Sequence, residues 1–146
     1  MDKNFKEFLK LLNCHKVKYV IVGAYALGCY TEPRYTNDLD IFVEATTGNT
    51  AKMVRVLSDF GFDASVVNWN NFFAGREMIR LGYAPIRIDI LASISGVTWN
   101  EVWKNKTRGF VDESKIPVYF IGKKQLIKNK KAARRPKDLS DIKQLE

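Results

Sequence analysis

Three carboxylates have the spacing for chemistry. Asp38 and Asp40 flank Leu39 at the start of an apolar run, Leu39-Asp40-Ile41-Phe42-Val43. In an extended strand alternate residues share a face, so both aspartates project to one side and Leu39, Ile41 and Val43 to the other. Asp89 lies inside the alternating run Ile86-Arg87-Ile88-Asp89-Ile90-Leu91. An acid in mid-strand is disfavoured by propensity and by burial. If the two strands are neighbours, three carboxylates converge. Their mutual repulsion is tolerable beside a divalent cation, and an oxygen-only set with open positions favours Mg²⁺ or Mn²⁺. The same residues admit a structural reading, with Asp38 and Asp40 capping a loop end and Asp89 paired with Arg87 on its own strand face.

A second feature precedes them. Tyr19-Val20-Ile21-Val22 reads as a short buried strand ended by Gly23, and Ala24 to Tyr30 suits a helix. A helix that starts directly after a glycine presents free backbone N–H groups and a positive dipole end, which suits phosphate. A lone glycine there also serves as a plain turn.

The elements that must position these residues follow from periodicity. Phe5, Phe8, Leu9 and Leu12 mark a helix over 4–14, and 50–60 reads as a helix stopped by Gly61. Residues 77–82 and 86–91 read as strands of a hairpin around Tyr83-Ala84-Pro85. A short helix over 97–104 follows. Ile116–Phe120 reads as a strand for a sheet edge, because Pro117 cannot donate to a ladder. Helices over 122–131 and 136–145 finish the chain. Strands and helices alternate without a clean βαβ rhythm, so the expected class is α/β in the α+β sense, a mixed sheet flanked by helices. At 146 residues one domain is expected over 1–146, with a basic helical part at about 121–146. Trp69, Phe72 and Phe73 beside an Asn-rich stretch read either as core or as a wall that stacks a base.

Composition narrows the classes further. A hydrophobic share of 46% with 27% charged residues excludes wholesale disorder. No apolar run approaches the roughly 18 residues of a membrane span, so no membrane association is expected. The first residues read as an amphipathic helix rather than a leader peptide, and the expected compartment is the cytoplasm with Cys14 and Cys29 reduced. His15 is the only histidine, which argues against a His/Cys zinc site and a Ser-His-Asp triad. Residues 1–103 carry 11 basic and 11 acidic side chains, whereas 104–146 carry 13 and 5, so the whole net charge of +8 lies in the last third. That end suits polyanions, or is a solvated lysine-rich surface.

Taken together, these parts resemble the nucleotidyltransferase superfamily with the DNA-polymerase-β-like catalytic core, and within it small single-domain members related to AbiEii-type toxins. The likeness rests on Val22-Gly23-Ala24-Tyr25-Ala26-Leu27, on Pro33-Arg34-Tyr35-Thr36-Asn37-Asp38-Leu39-Asp40-Ile41, on Ile88-Asp89-Ile90, and on Leu126–Lys130 followed by Arg135-Pro136-Lys137-Asp138-Leu139-Ser140-Asp141-Ile142. It spans about residues 17–145. Ala24 departs from it, standing where the family has Gly or Ser.

The resemblance implies transfer of a nucleoside monophosphate from an NTP to an acceptor hydroxyl. Asp38, Asp40 and Asp89 would hold Mg²⁺ (or Mn²⁺), with Asp89 receiving the acceptor proton. Gly23 and the Ala24 amide would cradle the β/γ phosphates. Arg34 and Thr36 would brace the aspartate loop or touch phosphate, and Lys130 would contact phosphate. Asp138 and Asp141 read as structural. The acceptor is left open among a tRNA or other RNA end, a protein hydroxyl and a small molecule such as an antibiotic. A chain this short also suggests a partner chain or homodimer completing the site. Two other readings stand beside the enzyme: an inactive relative acting as a toxin–antitoxin partner, and a basic nucleic-acid-binding module.

Overall fold

The computed structural model describes residues 1–32, 36–83, 86–111 and 114–146. Helix α1 (Lys3–Cys14) starts where the Asp2 carboxylate accepts the Asn4 N–H at 2.8 Å, and it buries Phe5, Phe8, Leu9 and Leu12 on one face. Strand β1 (Tyr19–Val22) is buried on both sides and runs directly into α2 (Gly23–Tyr30). Strand β2 (Asp38–Val43) and helix α3 (Thr47–Phe60) follow. Helix α3 begins earlier than residue 50, because Thr46 caps it by accepting the Asn49 N–H at 3.2 Å. Gly61, in the left-handed region at φ +92°, ends it.

A 3-10 turn (Ala64–Val66) leads to a short helix α4 (Trp69–Phe73), capped by the Asn68 side chain. The hairpin follows as β3 (Ile79–Tyr83) and β4 (Ile86–Leu91), then α5 (Trp99–Lys104), β5 (Thr107–Val111) and β6 (Ile116–Phe120). Helices α6 (Lys123–Ala133) and α7 (Pro136–Leu145) close the chain.

The six strands form one mixed sheet in the order β3-β4-β2-β1-β6-β5. Strand β2 runs antiparallel to β1 and parallel to β4, and β6 runs parallel to β1. One face packs Leu39, Ile41 and Val43 against α1 and α3. The other packs Val20, Val22 and Phe42 against residues of α2, α5, α6 and α7. Each fully buried Leu or Phe contributes about 1.5–3 kcal/mol. The class is thus a mixed sheet flanked by helices in a single domain, as expected.

Two details differ from expectation. Strand β6 is not at an edge, since β5 covers it. Pro117 fits there because a strand residue's N and O point the same way. Its carbonyl accepts the Asn13 side-chain N–H at 2.8 Å, on the side away from β5. The second is β5 itself, a true edge strand. Its Gly109 leaves room for the Phe120 ring, which an added Cβ would approach to 3.1 Å.

Candidate active site

Parallel pairing of β2 with β4 decides the site. The register sets Asp40 beside Asp89 and Asp38 beside Arg87. Alternation does the rest: Leu39, Ile41, Ile88 and Ile90 enter the core under α1 and α3, and Asp38, Asp40 and Asp89 share the opposite face. The three carboxylates expected to converge are therefore on neighbouring strands and one face.

Each has a different environment. Asp38 accepts from Arg87 Nε at 3.3 Å and from Nη2 at 3.2 Å. Asp89 is buried and accepts from Arg80 Nε at 2.8 Å and Nη2 at 3.3 Å. These are cross-strand register pairs. The alternative pairing of Arg87 with Asp89 along one strand is not what forms. Asp40 has no ion-pair partner at contact distance among the described residues. Burial, reinforced by the charges of Asp89 and Asp38, pushes its carboxyl up to about 6, while Lys137 and Arg135 at the start of α7 pull it down.

Gly23 lies against this group. Its φ is +69°, and a Cβ added there would overlap the Asp40 carboxylate. Helix α2 therefore starts in direct contact with Asp40, and among the described residues no side chain caps its start. Ala24 follows in the first turn, and its methyl replaces nothing the backbone needs. Thr36 Oγ1 donates to the Asp38 carbonyl at 3.4 Å, a bracing contact. The Oδ1 of Asn37, next in sequence, is buried without a hydrogen-bond partner among the described residues. Arg34 lies outside the described residues.

Lys130 is placed differently from its expected phosphate role. It is buried between α6 and α7, with Nζ 3.0 Å from Asp141 and 3.5 Å from Asp138. The two acids hold its charge, which is what permits an ammonium to be buried. Asp138 also accepts from Arg135 Nε at 2.8 Å and from the Arg135 backbone N–H at 3.1 Å, forming the capping box of α7. Burial is the largest influence on its carboxyl and pushes it up. The Arg135 hydrogen bonds and the charges of Arg135 and Lys130 outweigh it, holding the group below the usual range. The structural reading of Asp138 and Asp141 matches this geometry. The aromatic wall does not: Phe72 is core and Trp69 packs on the α1–α3 side of the sheet, opposite the carboxylates.

Sequence reasoning missed Arg80, Arg135 and Lys137 as site groups. Arg80 was within reach, because a hairpin turning between Tyr83 and Ile86 sets residue 80 opposite 89. The approach of α7 to Asp40 carries no local signal.

The donor set fits Mg²⁺ or Mn²⁺ in chemistry: three carboxylates on one face, one of them short of a compensating cation. Among the described residues no three acidic, His or Cys side chains are gathered closely enough to hold an ion as they stand. Arg80 and Arg87 hold the oxygens that would have to turn.

No protein-family model matches the sequence, and no curated protein matches it. The fold has a counterpart among solved structures: the lincosamide antibiotic adenylyltransferase LnuA with lincomycin bound, at a TM-score of 0.63 and 18% identity, covering 99% of this chain and 96% of that one. The two chains share a fold over their whole lengths.

Proposed function

We propose that this chain is a metal-dependent nucleotidyltransferase that moves a nucleoside monophosphate from an NTP to an acceptor hydroxyl. The observation that carries the proposal is the register of Asp40 beside Asp89, with Asp38 on the same face and the uncapped start of α2 against Asp40. The shared fold with an adenylyltransferase supports it. The AbiEii-like placement rests on the sequence pattern alone.

In the reaction the acceptor oxygen attacks the α-phosphorus, the bond to the β-phosphate breaks, and pyrophosphate leaves with its electron pair. Asp38, Asp40 and Asp89 would hold the metal. Bound Mg²⁺ or Mn²⁺ supplies charge neutralisation at the attacking and leaving oxygens. Asp89 receives the acceptor proton, directly or through water. Gly23 and the Ala24 amide face the β/γ phosphates. Arg80 and Arg87 transfer from carboxylate to phosphate when substrate arrives, as guanidinium pairs with either anion in the same forked geometry. Arg135 and Lys137 complete a positive rim. LnuA is described with lincomycin, so a small hydroxyl-bearing antibiotic is the first acceptor class to test.

The two Arg–Asp pairs favour a second reading, in which the carboxylates are structural and the chain is a binding partner. One experiment separates the two. Thermal melts are recorded with each NTP and Mg²⁺ for wild type and for the Asp38→Asn/Asp40→Asn variant. Ligand at 100 times its Kd adds about 2.7 kcal/mol, roughly 5–10 °C here. A metal-dependent shift confined to wild type supports the enzyme. No shift with any NTP rejects it in favour of the partner.

A further inference from the structure

Asp38 and Asp89 are both paired with an arginine, but the two pairs are unlike. Arg87 meets Asp38 at 3.3 and 3.2 Å, and both side chains are part-exposed, so solvent screens the pair. Arg80 meets Asp89 with Nε on one oxygen at 2.8 Å and Nη2 on the other at 3.3 Å. The Asp89 side chain is 8% exposed and that of Arg80 47%. A buried carboxylate thus has both oxygens engaged by a guanidinium that solvent can reach. The hydrogen bond and charge of Asp89, and more weakly the charges of Asp38 and Asp40, favour the charged form of that guanidinium.

Position across the sheet gives the tighter pair its meaning. Strands follow in the order β1, β2, β4, β3, about 4.8 Å apart. The start of α2 lies against Asp40 on β2, Asp89 comes next on β4, and Arg80 lies beyond it on the edge strand β3. With the β/γ phosphates at Gly23, in-line displacement sets the leaving oxygen on the α2 side of the α-phosphorus and the attacking oxygen on the β4 side. Arg80 therefore stands where the acceptor comes in.

We propose that Arg80 withholds Asp89 until the acceptor enters over the β3 edge, so that the site assembles in two stages. The proposal rests on the nucleotidyl-transfer reading of the carboxylates. Asp40 has no ion-pair partner at contact distance among the described residues, and the Asp38 pair is the more exposed of the two. These two acids are open to Mg²⁺ and NTP first. Asp89 joins them only when Arg80 swings out. A carboxylate with a cation at contact is a weak base, so Asp89 takes no proton from water while Arg80 stays, and an NTP held without acceptor is not hydrolysed. Arg80 is a positioning residue that acts through Asp89.

The test is Mn²⁺ binding to the full chain, read as the loss of the free Mn²⁺ signal in electron paramagnetic resonance. Arg80→Lys keeps the charge and loses the fork, and Arg80→Ala removes both. Lys137→Ala is the control for charge alone, since that ammonium acts on Asp40 and not on Asp89. Arg80→Lys is also made in an Asp89→Asn background, and circular dichroism confirms that each variant is folded. Mn²⁺ should bind tighter by about fivefold or more in Arg80→Lys, where a point charge replaces the fork, and tighter again in Arg80→Ala. Lys137→Ala should change it by less than about twofold, as expected for a screened charge. Asp89→Asn should abolish the gain from Arg80→Lys. The proposal is overturned if Arg80→Lys binds Mn²⁺ as wild type does, if Lys137→Ala gains as much, if the gain survives Asp89→Asn, or if no variant binds Mn²⁺ at millimolar concentrations. Repeating the titration with ATP separates this proposal from the reading beneath it. Mn²⁺ binding strengthened by ATP in wild type, with no gain in Arg80→Lys, discards the role of Arg80 and keeps nucleotidyl transfer. A gain in Arg80→Lys that ATP leaves untouched keeps the hold of Arg80 on Asp89 and sinks the transfer reading.

Discussion

Asp40 and Gly23 constrain each other, and both consequences are measurable. Asp40 sits near pH 6 in the folded chain against 3.8 for a free side chain. The folded form therefore holds more protons between those values, and stability falls as pH rises from about 4 to 6. Above that window the full penalty remains, of the order of 3 kcal/mol. Asp40→Asn should accordingly raise the melting temperature at pH 7.5, with the gain vanishing near pH 4. A variant less stable than wild type at pH 7.5 would contradict this account. The site is then one where stability is given up for a poised charge. Gly23→Ala acts in the opposite sense. The left-handed backbone alone costs about 1–2 kcal/mol, and the overlap with Asp40 adds to it. The variant should melt lower and lose any NTP-dependent shift. Gly48→Ala, where an added Cβ meets nothing within 4 Å, should be neutral or slightly stabilising. The three aspartates were legible in the sequence because alternation alone sets their face. Of their guanidinium partners, Arg80 was within reach once the hairpin turn was placed, whereas the pairing of Arg87 with Asp38 depends on which strand lies beside β2, which no local signal gives.

Among elements, α6 and α7 show how a motif can be located without its role being legible. The lysine before Arg135-Pro136 stood out in sequence, and a basic helix reads as phosphate-binding or solvated. The structure buries Lys130 between two acids instead, a choice made by tertiary packing of α7 onto α6. The buried arrangement predicts a stability effect. Lys130→Ala leaves Asp138 with its buried charge less compensated, and breaking such a pair costs about 3–5 kcal/mol. Urea denaturation should show that loss. If the midpoint held and only NTP affinity fell, the ammonium would be a phosphate ligand rather than a tie between helices. Other elements divide by the strength of their local signals. Strand β1 is a continuous apolar run, β2 is apolar after its aspartates and β4 alternates, and each is legible to within a residue. Strand β5, Thr107–Val111, carries a glycine and two polar residues, and it exists because β6 offers it a ladder. Helix α4 is five residues long and depends on the Asn68 cap, a signal too short for periodicity.

For the molecule as a whole, the separation of two charge systems gives the last prediction. The last third carries the net +8, whereas the carboxylate face lies on β2 and β4. A polyanion drawn to the basic end is held by counterion release, so its affinity falls linearly in log–log form with salt, by about 0.7 per phosphate contacted on a single strand. That attraction does not involve Asp38 or Asp40. Binding of a labelled poly-U oligonucleotide, followed by anisotropy from low to moderate salt, should be steeply salt-dependent and no weaker in Asp38→Asn/Asp40→Asn, which removes two negative charges. The NTP and Mg²⁺ shift should behave oppositely, vanishing in that variant. Charge then serves approach and the carboxylates serve chemistry, and the two meet where Arg135 and Lys137 at the start of α7 act on Asp40. Should NTP binding survive the double substitution and share the oligonucleotide's salt slope, both would be one electrostatic phenomenon. The chain would then be a basic binding module whose aspartates anchor Arg87 and Arg80 across the sheet.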